Sequence, residues 1–148
     1  MILENKVVVV TGGAGLLGKA FVKQILISGG VAILTDIKTT SAKGFISKMK
    51  RDYPNHFYAI NMDITKKSSI NSVIKIVSKR FGRIDCLVNN AYPKNKNYGK
   101  QIEDVSYRDF SDNLSTHVGG YFLSSQQFGI FFKNHKGGNI INMGSVYG

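Results

Sequence analysis

Thr11-Gly12-Gly13-Ala14-Gly15-Leu16-Leu17-Gly18 follows a β-branched run at residues 6–10. It opens a segment in which Leu17, Ala20, Phe21, Ile25 and Leu26 recur at helical spacing. A strand therefore enters a glycine turn, and a helix leaves it. The glycines suit that turn at each third position. Gly12 allows the tight backbone, Gly15 lets amides approach a pyrophosphate, and Gly18 permits close helix–strand packing. With Leu17 in its first turn, the helix N-terminus offers unpaired amides and a positive dipole to phosphates. Taken alone, the spacing also suits an ordinary tight turn, so its surroundings decide.

Outward from the turn, two periodicities alternate. Gly29-Gly30 ends the first helix, and residues 31–35 read as a second strand. A polar helix is expected over residues 41–53, stopped by Pro54. Residues 57–61 form a third strand. Ser68 then caps a helix with Ile70, Val73, Ile74 and Val77 on its apolar face, closed by Gly82. Residues 84–88 are a fourth strand, residues 106–134 a long helix, and residues 139–143 a fifth strand after Gly137-Gly138. Strands without polar alternation belong to a sheet covered on both faces. Five of them separated by helices predict an α/β, Rossmann-type doubly wound parallel sheet with right-handed crossovers. There is no internal repeat or linker, so residues 1–148 read as one dinucleotide-binding domain.

Asp36 lies at the end of the second strand, 18 residues after Gly18. A carboxylate there accepts hydrogen bonds from the adenosine ribose hydroxyls and repels a 2′-phosphate. Asp36 and neighbouring Ile37 are thus candidate cofactor contacts, and NAD is favoured over NADP. Lys38 works against that preference. A solvated turn or a helix cap is the other reading of Asp36.

Bulk properties narrow the function classes. The chain has 148 residues, 43% of them hydrophobic, enough to bury a core. No stretch reaches the roughly 18 apolar residues needed to span a bilayer. Glu4 interrupts any signal-peptide core, and a soluble cytoplasmic protein is expected. The single Cys86 reads as a buried structural thiol. The net charge is +11, yet lysines and arginines such as Lys66, Lys67, Lys79 and Arg80 come in pairs rather than blocks. That pattern reads as a solvated surface, with a small-molecule partner, no nucleic acid, no membrane and no metal.

The pattern resembles the short-chain dehydrogenase/reductase family. Phe81-Gly82-x-Ile84-Asp85-x-Leu87-Val88-Asn89-Asn90-Ala91 is similar to the family's fourth-strand signature, with Tyr92 in place of the usual following glycine. The resemblance implies that Asn90, Ala91 and Tyr92 lie beside the cofactor and that Asp63 and Ile64 contact its adenine. Gly138-Asn139-Ile140-Ile141-Asn142-Met143-Gly144-Ser145 is similar to the strand that delivers the catalytic serine, here Ser145. His117 stands where the family carries an asparagine that anchors a proton-relay water. A histidine can hold a water too; the other reading is a helix-face residue without a role.

Two subgroups share these features. The glycines at 12, 15 and 18 resemble the extended subgroup, whereas the shorter subgroup has its middle glycine at the position of Leu16. The fourth-strand motif and Gly119-Gly120-Tyr121-Phe122-Leu123 resemble the shorter one. Residues 89–99 and 117–128 are similar to a bacterial flagellin-modification group within the family. Together these imply an NAD-dependent, homo-oligomeric oxidoreductase acting on a hydroxyl or carbonyl of a sugar in flagellin glycan biosynthesis. A sugar-nucleotide epimerase or dehydratase, or a non-catalytic dinucleotide sensor, remain alternatives. Lys94, Lys96 and Lys100 read either as contacts to an anionic sugar or as a solvent loop. In the family, a tyrosine and then a lysine follow the serine by about a dozen positions. Gly148 comes three residues after Ser145, and Tyr147 is too close to substitute. The expectation is a chain truncated before the catalytic Tyr-x-x-x-Lys, lacking the family's C-terminal strands and inactive alone.

Overall fold

Val7–Thr11 is buried at each of its five positions, as a strand covered on both faces must be. This strand, β1, lies at the centre of a five-stranded sheet in a computed structural model that describes residues 1–145. Its companions are β2 (Val31–Asp36), β3 (Phe57–Asn61), β4 (Cys86–Asn89) and β5 (Asn139–Asn142). The spatial order is β3-β2-β1-β4-β5, and all neighbours run parallel. Helices α1 (Leu16–Ile27), α2 (Lys43–Asp52), α3 (Lys67–Phe81) and α4 (Tyr107–Lys133) connect them.

Side-chain alternation splits the core into two layers. Val7, Val9, Ile33 and Leu87 pack with Ile70, Val73, Ile74 and Val77 of α3 and Phe128, Phe131 and Phe132 of α4. Val8, Val10, Ala32, Leu34 and Val88 pack with Val22, Ile25 and Leu26 of α1 and Met49 of α2. The doubly wound α/β sheet expected from the sequence is therefore present.

Local differences have local causes. The fourth strand begins at Cys86 rather than Ile84, because Asp85 bonds to β1 through its side chain as well as its backbone. Its Oδ2 accepts from the Val7 amide at 2.8 Å, while its own amide donates to the Val7 carbonyl at 2.8 Å. Arg83 and Lys6 pair with the same carboxylate. Burial pushes that carboxyl up, but hydrogen bonds from Arg83 and Val7 outweigh it and hold it below the ordinary carboxylate value.

Ser68 does not cap α3. The helix starts at Lys67 with Lys66 at its N-cap and no side-chain cap, and Ser69 instead accepts the Asp63 amide at 3.0 Å. A 3-10 turn, Thr39–Ala42, replaces the first turn expected of α2. Cys86 is half-buried rather than fully buried. Burial, with the Asp85 charge beside it, pushes its thiol pKa up and keeps it protonated.

Candidate dinucleotide cleft

The chain winds from β1 outward to β3, then crosses back to β4 on the opposite side of β1. That reversal opens a crevice at the carboxyl ends of β1 and β4, where ligands bind in open α/β sheets. The glycine turn leaves β1 there, and Asn90 to Tyr92 leave β4.

Gly12 has φ +62°, and a Cβ on it would come within 2.7 Å of the Ala91 Cα. A Cβ on Gly18 would come within 2.6 Å of the Gly13 Cα, so α1 rests directly on the turn. Gly15 is the N-cap of α1 in an extended conformation, with no side chain capping the helix. The first amides of α1 are thus left for a ligand.

Three side chains fix the turn. Thr11 Oγ1 accepts from the Asn90 and Ala91 amides at 2.9 and 3.0 Å. Asn90 Nδ2 donates back to the Thr11 and Gly12 carbonyls at 2.9 and 3.1 Å. Asp36 Oδ2 accepts from the Ala14 amide at 3.1 Å, and its Oδ1 from the Lys38 amide at 3.3 Å. Asp36 therefore closes a local turn and at the same time borders the crevice.

Asp63 follows β3. Burial pushes its carboxyl up, but hydrogen bonds from Thr65 and Lys66 outweigh that and hold it below the ordinary value. Ile64 is buried against Gly120 of α4, where a Cβ would sit 2.6 Å from Ile64 Cδ1. Gly120 thus lets α4 approach the crevice beside Ile64.

Gly12, Gly15, Leu17, Gly18, Asp36, Ile37, Asp63, Ile64, Asn90, Ala91 and Tyr92 all line a single cleft of about 740 Å³. The structure adds Leu16, Met62, Thr65, Pro93, Lys94 and Thr116 to its walls. Leu16 is 88% exposed at the head of α1. The uncapped helix end, the glycine cradle and the Asp36 carboxylate fit the phosphates and ribose of a dinucleotide.

His117 stands one residue beyond Thr116, its ring against Tyr92 at 4.4 Å and Tyr121 at 4.9 Å between centroids. Burial lowers its pKa, leaving a neutral imidazole at neutral pH. Ser145 is the last described residue and is exposed, two residues past Met143, whose amide continues the ladder to the Asn89 carbonyl at 3.0 Å. Tyr147 lies outside the described residues. Reasoning from sequence missed the clamping role of Thr11 and the network in which Asn89 Nδ2 donates to Ser125 Oγ and Asn142 Oδ1 at 3.0 and 2.8 Å. The polar Asn89 in an otherwise apolar strand was the signal for the latter. No helix among the described residues is long and apolar enough to cross a membrane.

Comparison with known proteins agrees with this geometry. The sequence model of the short chain dehydrogenase family matches residues 6–148. Post-translational flagellin modification protein A of Campylobacter coli is 37% identical over 147 residues, covering 99% of this chain and 57% of that protein. Galactitol 2-dehydrogenase of Agrobacterium fabrum is 34% identical over 153 residues, covering 100% of this chain and 56% of that protein. A short chain dehydrogenase from Bacillus anthracis superposes with a TM-score of 0.86 at 27% identity, covering 97% of this chain and 58% of that one. The chain spans about half the length of the curated relatives it matches. Fold, cleft and family match agree: the chain belongs to the short-chain dehydrogenase family.

Proposed function

We propose that the protein is an NAD-dependent oxidoreductase acting on a hydroxyl or carbonyl of a sugar, with residues 1–148 as its dinucleotide-binding domain. The observation that carries this reading is the convergence of the glycine turn, Asp36, Asp63 and Asn90 on one cleft. Names of relatives, a flagellin modification protein and a galactitol dehydrogenase, support a sugar and a place in flagellin glycan synthesis. When bound, the dinucleotide supplies a nicotinamide carbon that gives or takes hydride.

The chain's residues do the positioning. Amides at the head of α1 hold the pyrophosphate, and Asp36 takes the adenosine ribose hydroxyls and disfavours a 2′-phosphate. Asp63 and Ile64 border the adenine. Ser145 holds the substrate oxygen by hydrogen bond. Neutral His117 holds a relay water through a ring nitrogen. Phe110, Leu114, Val118 and Phe122 form an exposed apolar stripe along α4, supporting a homo-oligomer built on that helix.

Gly15 at the N-cap, with exposed Leu16 after it, favours one second reading, a sugar-nucleotide epimerase or dehydratase of the extended subgroup. One experiment separates the two: incubate the full-length protein, of which residues 1–148 are the dinucleotide-binding domain, with NAD and a panel of polyols and sugar nucleotides. Net accumulation of NADH supports the dehydrogenase. Isomerised or dehydrated product without NADH supports the second reading.

A further inference from the structure

We infer that residues 92–100 form a prebuilt wall that recognises an anionic sugar, with Tyr92 and Tyr98 as its face and Lys94 as its charge. The inference rests on the sugar-oxidoreductase reading and deepens it.

The segment between β4 and α4 is irregular but firmly attached. Asn97 Nδ2 and Asn95 Nδ2 donate to Asp109 Oδ1 at 2.7 and 3.2 Å, and Ser106 Oγ donates to its Oδ2 at 2.8 Å. The Asn95 amide donates to Asn113 Oδ1 at 3.2 Å. Asp109 is thus a positioning residue that ties the segment to the first turns of α4.

On this frame four rings stand edge to face. Tyr98 meets Tyr92 at 5.7 Å, Tyr92 meets His117 at 4.4 Å, and His117 meets Tyr121 at 4.9 Å between centroids. The Tyr92 hydroxyl donates to that of Tyr98 at 3.1 Å. Both tyrosines keep about half of their surface exposed, at 48% and 49%. Buried rings packed this way are ordinary core. Half-exposed rings fixed beside a cofactor cleft are a platform for the C–H face of a sugar.

The three lysines of the segment are not equivalent. Lys94 alone lines the cleft. Its Nζ sits 4.3 Å from the Tyr98 ring centre and 5.3 Å from that of Tyr92. Those rings hold the ammonium by cation–π attraction, and no carboxylate among the described residues forms an ion pair with it. Lys100 instead lies near Asp109 and helps keep its carboxyl ionised. A sugar stacked on the tyrosines would bring a carboxylate or phosphate to Lys94.

The test titrates the NAD-loaded protein with glucuronate, glucose 6-phosphate and glucose, following the ring signals of Tyr92 and Tyr98 by NMR. At least one anionic sugar should shift both rings and bind about fivefold more tightly than glucose, the scale of one exposed ion pair. The responding anion tells carboxylate from phosphate. Lys94→Gln, at an exposed position, should abolish the preference, whereas Lys96→Gln, outside the cleft lining, should leave it intact. Asp109→Ala should weaken anionic-sugar binding, and Asp109→Asn should restore part of it. Ring signals indifferent to both anions, or a preference that survives Lys94→Gln, would overturn the inference. Failure to bind NAD in the same sample would instead reject the oxidoreductase reading.

Discussion

Thr11 and Asn90 are joined by reciprocal hydrogen bonds: the Asn90 amide donates to Thr11 Oγ1, and Asn90 Nδ2 donates to the Thr11 carbonyl, each at 2.9 Å. This couples the ends of β1 and β4 on either side of the crevice. Thr11 is 1% exposed. Thr11→Val keeps the shape but strands the Asn90 and Ala91 amides, so stability should fall by about 1–3 kcal/mol. Thr11→Ser should recover most of it. Denaturant unfolding of the three proteins measures this, and a Val variant as stable as the parent would show that the clamp contributes nothing.

The glycines of the turn should separate from those elsewhere. Gly18→Ala places a methyl group against the Gly13 backbone and should cost about 1–3 kcal/mol and most of the NAD affinity. Gly44 is exposed in the first turn of α2, with nothing within 4 Å of a Cβ. Gly44→Ala should therefore be neutral or stabilising by up to about 1 kcal/mol. Equal effects at the two positions would contradict the packing argument.

Much of this cleft is legible in the sequence. The β-branched run before Thr11 and the short run at residues 57–61 declared themselves as strands, and the long helix expected from residue 106 does begin there, with Ser106 Oγ accepting the Asp109 amide at 3.0 Å. Gly12 and Asp36 were legible because each is tied to a particular point in the strand–turn pattern, and Asn90 because residues 81–91 resemble the family's fourth-strand signature. The α3 cap was not, since Lys66, Lys67, Ser68 and Ser69 offer several starts and a tertiary bond from Asp63 takes one serine. The Tyr92–His117–Tyr121 ring contacts were illegible for a different reason. They join two elements, and the 3.6-residue period of α4 says nothing of what lies across from it.

His117 sets a pH dependence whose sign follows from its burial. Its pKa is lowered from 6.5, so the unfolded chain binds protons more readily. The stability His117 contributes is complete above the unfolded value and is lost as pH falls through the lower folded value. Asp63, Asp85 and Asp109, all held below 3.8, withdraw further stability only in more acid solution. Thermal unfolding between about pH 5 and 8 should show a decline on acidification that His117→Asn flattens. An identical profile in the variant would assign the decline to other groups.

The α4 stripe should govern assembly. Leu114→Glu puts a charge on a half-exposed apolar position without touching the cleft lining. Light scattering across a concentration series should show a smaller species than the parent, with NAD affinity unchanged. An unaltered mass would move the oligomer contact away from this helix.

We propose that this cleft holds NAD with Asp36 on the adenosine ribose. Calorimetric titration of NAD and NADP into the protein and its Asp36→Ala variant tests it most directly. The parent should bind NAD more tightly than NADP and the variant should lose that preference, with Lys38 then free to favour the 2′-phosphate. Tighter binding of NADP by the parent, or a preference untouched by Asp36→Ala, would contradict it.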